Sequence, residues 1–299
     1  MAYLNTYKPP APLPEDSYHL STPLDSYDLN FSLLSIPPLL ETPGGVRLYP
    51  LIPSIHARRL FQLNIPFPSS YKYLPYGPFP SLSSFLTFLE DLRRDDGVLL
   101  FVVYDMSLEF TGGPKEELER EGGAGLSEER IAGIVGVLKS VPKNRTTEIG
   151  HLHISPPFQR SHVLSHSITL LQHWTLDAPS SSSPHSLGLR RLQWFSNSLN
   201  VPSITAAKRL GFELESDCLR WERITKPEKE GLELPAFLEG ERKELEEEVG
   251  GGRHSAVLSI GWDRWEEGTR EMVDKMIEDR PVQRRKVETI EFGVEKERN

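Results

Sequence analysis

Two different spacings of apolar residues divide the chain into strands and helices. Residues 97–106 and 130–140 are runs rich in apolar side chains, which is typical of buried strands, whereas the apolar residues of 163–175 recur at helical spacing. The same criteria predict further strands at 46–51, 146–155, 190–196, 212–224 and 256–261, and further helices at 55–63, 82–94, 202–210 and 262–278. The order β-α-α-β-β-β-α-β-α-β-β-α predicts one domain of the α+β, or mixed α/β, class.

Capping residues mark several of these boundaries. Ser81 precedes the helix 82–94 and Asn200 precedes the helix 202–210, and both residue types are preferred helix N-caps. Gly211 follows the second of these helices, where a glycine commonly ends a helix before a returning strand.

Proline and charge are concentrated in segments that the apolar pattern leaves irregular. Residues 1–45 carry a net charge of −4 and eight of the 25 prolines, which predicts an extended N-terminal arm before a domain spanning 46–280. Residues 281–299 form a charged C-terminal tail. Segments rich in Gly, Ser and Glu are predicted insertions into the domain at 111–128, 178–188 and 225–253.

The net charge of −9 lies in two of these segments. Residues 226–248 contain four basic and nine acidic residues, which indicates a solvated helix or loop. This stretch and the arm together account for the whole net charge, so the rest of the chain is near neutrality. An acidic balance argues against a general nucleic-acid binder, but it does not argue against binding of a small anionic ligand.

Compartment and assembly are expectations from composition. Cys218 is the single cysteine, so no intramolecular disulfide is expected, and the apolar pattern predicts neither a secretory signal nor a membrane span of about 18 residues. We expect a soluble cytoplasmic protein, with the nucleus as an alternative. It is expected to be a monomer or weak dimer without nucleic-acid or membrane partners.

A strand, a tight loop and a helix follow one another after Glu148. The strand 146–155 ends at two prolines, and the loop leads into the helix 163–175. The first N–H groups of a helix lack intrahelical partners and lie at the positive end of its dipole, so this loop can hold a pyrophosphate, with Arg160 adding charge. An ordinary strand-to-helix connection is the alternative, and the spacing alone favours it.

Three segments in order carry a family resemblance. They are the Gln-led loop 159–164, the Asn-x-x-Ser unit 200–203 and the Ala-x-x-Leu-Gly-Phe unit 207–212. Together they resemble the GNAT superfamily of N-acetyltransferases, in the branch similar to ribosomal-protein serine and alanine N-terminal acetyltransferases, and 73–79 resembles a segment of fungal-type members. The resemblance covers roughly 46–280. It implies a twisted, mostly antiparallel sheet with helices on both faces, splayed between its fourth and fifth strands.

What the resemblance implies is acetyl transfer from acetyl-CoA, as co-substrate, to a primary amine. The amine belongs to a protein N-terminus or a small molecule and attacks the thioester directly in a ternary complex, and no metal takes part. The implied contacts with acetyl-CoA are Leu152, His153, Ile154, Gln159, Arg160, Ser161, His162, Val163, Leu164, Ser165, Asn200 and Ser203. The candidate contacts with the acceptor are Tyr73, Tyr76, Trp194 and Arg220.

Two residues are candidate catalysts. Glu148 is the candidate base and, by strand alternation, shares a face with Gly150, Leu152 and Ile154, although a solvated carboxylate at a strand end is an equal alternative. Ser203 is the candidate general acid for the leaving thiolate, by analogy with the matching serine of the family. Its alternative is a serine in the first turn of a helix that bonds to the backbone.

The loop departs from the family pattern at two positions. His162 and Leu164 stand where the family usually has glycine, which allows close approach of the backbone to phosphates. A catalytically degenerate acyl-CoA-binding or interaction module is therefore the alternative function. A zinc site among the histidines of 151–173 is disfavoured, because the resemblance explains this segment without a metal. The acidic stretch 226–248 could attract a basic acceptor, although a solvated insertion is favoured.

Overall fold

The computed structural model describes residues 4–9, 18–110, 119–226, 228–249, 251–279 and 282–287. Its strands are β1 (Leu40–Glu41), β2 (Val46–Pro50), β3 (Leu99–Asp105), β4 (Leu108–Glu109), β5 (Ile131–Val141), β6 (Thr146–Ile154), β7 (Arg191–Asn197), β8 (Glu213–Thr225), β9 (Gly251–Gly261) and β10 (Arg285–Lys286). Its helices are α1 (Pro53–Asn64), α2 (Leu82–Arg93), α3 (Val163–Leu176), α4 (Val201–Arg209), α5 (Gly240–Val249), α6 (Trp262–Arg264) and α7 (Arg270–Asp279).

Eight strands form one sheet in the order β1-β2-β3-β5-β6-β7-β9-β8. Neighbouring strands are antiparallel except β6 and β7, which are parallel and are connected through α3. β9 lies between β7 and β8, so the chain passes from β7 through α4 to the edge of the sheet and then returns inside it. The predicted mixed α/β class with a mostly antiparallel sheet is confirmed.

Helices cover both faces of this sheet. β3 is buried at all seven positions, which requires packing on both sides. Trp174 of α3 packs against Phe101 of β3, with ring centroids 5.3 Å apart. Phe101 pairs with Val135 of β5, so Val135 lies on the same side as α3. The adjacent Ile134 lies on the opposite side, and its partner His153 contacts the connection between α1 and α2. We call the two sides the α3–α4 face and the α1–α2 face.

The apolar pattern predicts the long elements to within two residues, with two exceptions. β9 begins at Gly251, five residues before the predicted start, because the glycines that resemble a loop in the sequence pair with the end of β8. The last predicted helix is interrupted by the π-helical turn Trp265–Thr269, where Gly268 has a φ of 147° that no helix accommodates.

The predicted arm lies along the domain where it is described. Phe31 and Leu33 are buried, and Trp174 Nε1 donates a hydrogen bond to the Ser35 carbonyl oxygen at 3.3 Å. Residues 1–3 and 10–17 of the arm lie outside the described residues.

The insertions and the tail are described in part. Residues 111–118 and 288–299 lie outside the described residues. The third insertion contains the exposed helix α5 between β8 and β9. The described start of the tail forms β10, which pairs in parallel with β4.

Candidate functional site

An opening separates the two parallel strands at the centre of the sheet. β6 pairs with β7 only from Thr146 to Ile149, opposite Arg191 to Trp194, although β6 continues to Ile154 and β7 to Asn197. The remaining backbone of β6 therefore has no ladder partner on that side and can accept an extended ligand in the manner of an added strand. The family resemblance predicted a splay between the fourth and fifth strands of its sheet, which are β6 and β7 here, and this prediction is confirmed.

A bulge in β6 accompanies the opening. Gly136 of β5 pairs with Gly150, but Ile134, two residues earlier, pairs with His153, three residues later. His151 has a φ of 48°, which places the extra residue in the left-handed region. The prediction that Leu152 and Ile154 share a face with Glu148 is wrong, because the extra residue reverses the alternation after Gly150. His153 lies on the face of Glu148 instead.

The loop after β6 leads directly to the N-terminus of α3. A 3₁₀ turn at Pro156–Phe158 is followed by Arg160, which is exposed and has a φ of 58°. Gln159 Nε2 donates to the Ile154 carbonyl oxygen at 2.8 Å, and Ser161 Oγ donates to the Phe158 carbonyl oxygen at 2.6 Å. These bonds fix the loop beside the positive end of a 14-residue helix, an arrangement suited to a phosphate group.

The histidine at the first unusual loop position turns away from the opening. The side chain of His162 is buried, and its Nε2 lies 3.4 Å from Asp105 Oδ1 and 3.4 Å from the Gly45 carbonyl oxygen, both at the β2–β3 side of the sheet. Leu164 is half-buried and packs against the core. The His162 side chain therefore does not fill the space between β6 and β7.

A buried ion-pair network anchors this histidine. Asp105 is fully buried, accepts hydrogen bonds from Ser107 N and Oγ, and pairs with Arg285 Nη2 at 2.8 Å. Burial acts to raise the pKa of Asp105, but the hydrogen bonds from His162, Ser107 and Arg285 outweigh it and hold the pKa below its usual value. Arg285 Nη1 also donates to the Pro157 carbonyl oxygen at 2.9 Å, so the tail supports the loop before α3.

Glu148 lies on the α1–α2 face beside the opening. Its side chain is buried and forms an ion pair with Lys139 Nζ at 2.9 Å. Burial raises the pKa of Glu148, against the opposing effects of Lys139, Arg223 and Arg253. The solvated carboxylate considered from the sequence does not describe this residue, which is instead a buried group with increased proton affinity.

Ser203 and Asn200 lie at the start of α4, on the other face. Asn200 Oδ1 accepts a hydrogen bond from Ser203 N at 3.3 Å, so Asn200 caps the helix. Ser203 Oγ accepts a hydrogen bond from Trp194 Nε1 at 3.1 Å, and its own proton remains available to a second partner. Trp194 is buried against Phe212 on the α3–α4 face, away from the residues near Glu148.

An aromatic cluster lies over the bulge on the α1–α2 face. Tyr71 packs on His153 with ring centroids 4.2 Å apart, and Tyr76 lies between Phe88 and His151 at 4.5 and 5.4 Å. Burial lowers the pKa of His151 and of His153 to about 4, so both imidazoles are neutral near pH 7. The cluster gives this side of the opening an apolar wall.

A cavity of about 250 Å³ adjoins this wall at the end of β7. Tyr73 and its neighbours in the α1–α2 connection line one side, Asn197 lines the base, and the ends of β8 and β9 line the other side. We call it the cationic cavity, because its charged lining residues are Lys72, Arg223, Lys226, Lys229, Arg253 and Glu230. Of the predicted acceptor residues, Tyr73 lies in this cavity and Tyr76 in the adjacent cluster, whereas Arg220 is exposed on β8 and does not line it.

Sequence reasoning missed the cations of this cavity. Arg223 and Arg253 pair directly across β8 and β9, on either side of the acidic stretch 226–248. Lys229 Nζ donates to the carbonyl oxygens of Tyr71 and Tyr76 at 2.9 Å each and to that of Gly77, and so ties the insertion to the α1–α2 connection. The sequence signal for this cationic site was one arginine on either side of the acidic stretch 226–248.

Membrane and metal features were also sought in the described ranges. None of the helices there is long and apolar enough to cross a bilayer. Within the same ranges, no three His, Cys, Asp or Glu side chains come close enough together to bind a metal ion.

The fold has solved relatives, although no protein-family model and no curated protein sequence matches the chain. A GCN5-related N-acetyltransferase from Brucella melitensis aligns with a TM-score of 0.58 at 21% identity over 80% of this chain and 85% of that one. A Chromobacterium violaceum protein assigned to the GNAT family of acetyltransferases aligns with a TM-score of 0.56 at 23% identity over 88% and 100%. Mycobacterium smegmatis RimJ, in complex with CoA-disulfide, aligns with a TM-score of 0.51 at 14% identity over 80% and 92%. At these identities the likeness shows the fold, which is that of the GNAT acetyltransferases.

Proposed function

We propose that the protein transfers the acetyl group of acetyl-CoA to a primary amine by direct attack in a ternary complex. The observation that carries the proposal is the opening between β6 and β7, whose unpaired strand edge leads directly into the loop at the N-terminus of α3. The GNAT fold supports this reading, because the solved relatives include acetyltransferases.

The chain's own groups fit acetyl-CoA. The backbone of Leu152, His153 and Ile154, which has no ladder partner on the side of β7, would hold an extended pantetheine arm, and the N–H groups from Arg160 to Ser165 would hold the pyrophosphate. The His162 side chain points to Asp105, so its imidazole does not occupy the loop surface. The replacement of the family's glycine by histidine at this position is therefore compatible with a phosphate group there. The Asn200 side chain retains its NH₂ group for the ligand after capping α4.

Two residues on opposite faces of the opening assist the reaction, one at the attacking amine and one at the leaving sulfur. Acetyl-CoA supplies the thioester: the amine nitrogen forms a bond to the carbonyl carbon, and the bond from that carbon to sulfur breaks. Glu148, whose buried carboxylate has a raised pKa, takes the proton that the amine loses. The Ser203 hydroxyl donates a hydrogen bond to the departing sulfur, which solvent then protonates.

Binding and turnover are measured separately. We expect CoA at 100 times its Kd to stabilise the protein by about 2.7 kcal/mol, which raises the thermal midpoint by several degrees. Acetyl-CoA with a panel of primary amines should release free thiol. Binding without turnover on any amine would favour the non-catalytic acyl-CoA-binding module. If CoA gives neither stabilisation nor thiol release, the proposal is wrong.

Substitution of the serine tests the acid role. We expect Ser203→Ala to lower kcat roughly tenfold, less than a typical acid–base contribution, because a thiolate is already a good leaving group. The Kd for CoA should change little, and Ser203→Thr, which keeps a hydroxyl, should retain most of the rate. An unchanged kcat in Ser203→Ala would assign the hydroxyl to its hydrogen bond with Trp194 alone.

A further inference from the structure

The charge of the cationic cavity is opposite to that of the whole chain. Five cationic side chains and one acidic side chain line it, whereas the chain as a whole carries −9. Because the field in a cleft is focused by its low-dielectric walls, this local excess governs which ligand enters.

Three acidic groups in and around the cavity already have cationic partners. Glu230 lies 3.4 Å from Lys72 Nζ, and Glu222 lies 3.2 Å from Arg223 Nε. Glu148, behind the cavity, pairs with Lys139. These three carboxylates are therefore neutralised by their ion pairs, and positive charge remains on the other side chains of the lining.

Arg253 is a buried cation of the lining without a carboxylate within 4 Å among the described residues. It is only 8% exposed, and within the described ranges its side chain makes one hydrogen bond, from Nε to Ser255 Oγ at 3.0 Å. Ser255 Oγ in turn donates to Glu222 Oε2, which is shared with Arg223. Burial and the nearby Arg223 lower the pKa of Arg253, as expected for a guanidinium held without its own carboxylate.

Two lysines add to this charge. Lys229 is held by three neutral carbonyl groups, and Glu228 lies near it without an ion pair within 4 Å among the described residues. Lys226 is exposed at the mouth of the cavity. A buried charge without a partner is costly, so a site of this kind favours a ligand that brings the missing anion.

We propose that the acceptor is an anionic primary amine, with a carboxylate that binds Arg253 in the cationic cavity while its amino group faces Glu148. This rests on the proposed acetyl transfer and names the acceptor class for that site. Arginine binds carboxylates through two parallel hydrogen bonds, and the terminal nitrogens of Arg253 are available for them. Glu148 and Arg253 lie on the same face of the sheet, and the carboxylate of Glu148 acts on the pKa of Arg253, so we assign the two ends of one small molecule to these two groups.

The size of the cavity limits the anionic group. About 250 Å³ is below the range of roughly 300–1,000 Å³ typical of drug-sized ligand sites, so the cavity admits an amino acid or the first residues of a peptide. Free acidic amino acids and acidic protein N-termini share this chemistry, and the experiment separates them.

The acidic insertion does not oppose this preference. Its negative charge lies mainly on α5, which is exposed and carries its own ion pairs, such as Lys243 with Glu247 at 3.8 Å. The part of the insertion that reaches the cavity contributes Lys226, Lys229 and the paired Glu230. A basic acceptor drawn by the insertion would therefore meet positive charge at the site itself.

The experiment compares matched acceptors. We expect kcat/KM for the amidated peptide Asp-Ala-Ala to exceed that for Asn-Ala-Ala by about 10- to 100-fold, the effect of one charge-assisted pair. The free amino acids form the second arm as their α-amides, aspartate α-amide against asparagine α-amide, so that only the side-chain carboxylate differs, and spermidine serves as a basic acceptor expected to be poor. A preference confined to the peptides identifies a protein N-terminus, and one confined to the free amino acids identifies a small molecule.

Variants connect the preference to the cavity. Arg253→Gln should reduce the acidic-to-neutral ratio to near one by raising KM for the acidic acceptor. Lys243→Gln, which removes one positive charge from exposed α5, should leave the ratio unchanged. Higher ionic strength should reduce the ratio of the wild-type protein.

Calorimetry with CoA and the two peptides gives a result that does not need turnover. Tighter binding of the acidic peptide, lost in Arg253→Gln, supports the anionic site even if no thiol is released, in which case only the proposed transfer fails. Thiol release that is equal for acidic and neutral acceptors overturns the acceptor class and leaves the transferase standing. Equal binding of both peptides, or a preference that survives Arg253→Gln, also overturns it.

Discussion

Replacing Glu148 with glutamine should lower kcat by about 10²- to 10³-fold while the Kd for CoA stays unchanged, because the amide keeps the shape of the side chain but cannot accept the proton of the amine. The carboxylate is buried beside the opening, and its raised pKa increases its strength as a base. Single-turnover rates with saturating acetyl-CoA measure the chemical step directly. A Glu148→Gln variant with wild-type kcat would exclude this residue as the base.

The ion pair with Lys139 provides a second readout for the same role. Lys139 lowers the pKa of Glu148 against the larger effect of burial, so Lys139→Met should move the acidic limb of the kcat/KM profile to higher pH. Because Glu148 is buried, removal of Lys139 leaves a buried carboxylate without its ion-pair partner, so the folded state should also lose some stability. An acidic limb that does not move would show that another group controls it.

The parts of the fold that could be predicted depend on local apolar pattern. β3 and β5 were predictable because strands covered on both faces require near-continuous apolar sequence. The opening between β6 and β7 followed from a resemblance in the loop and in the start of α4. The bulge at His151 was not predictable, since alternation assumes one residue per step and nothing local marks the extra one.

The parts of the site that could not be predicted join distant segments. The direction of His162 is set by Gly45 and Asp105, more than 50 residues away in the chain. The juxtaposition of Arg223 and Arg253 needs the register of two strands separated by an insertion, which composition describes only as acidic and solvated. The sequence thus indicates the cofactor side through local motifs, whereas the acceptor side depends on tertiary pairing.

The ion pair between Arg285 of the tail and Asp105 of β3 joins segments far apart in the sequence, and we expect its loss to have a large effect on stability. Arg285→Met should destabilise the protein by about 3 kcal/mol, the lower end for breaking a buried ion pair, because Arg285 is partly exposed and Ser107 and His162 remain on Asp105. At about 2–4 °C per kcal/mol, the thermal midpoint at pH 7 should fall by roughly 6–12 °C. The loop at Pro157 loses a donor as well, so the affinity for CoA should also weaken.

The adjacent arginine is the matched control. Arg284 is 80% exposed in its side chain and lies 3.7 Å from the exposed Glu109, so Arg284→Met should leave the thermal midpoint within about 1 °C. Equal midpoints for the two variants would show that the tail does not anchor the domain.

The dependence of this effect on pH has a definite sign. The pKa of Asp105 is lowered in the folded state, so the stabilisation from the ionised carboxylate is present above the unfolded pKa of about 3.9 and is lost as the pH falls through the folded pKa. Arg285→Met raises that folded pKa. The difference between variant and wild type should therefore be largest near neutral pH and shrink in acid, as measured by thermal unfolding across pH. A difference that grows on acidification would contradict the assignment of Asp105 as the stabilised group.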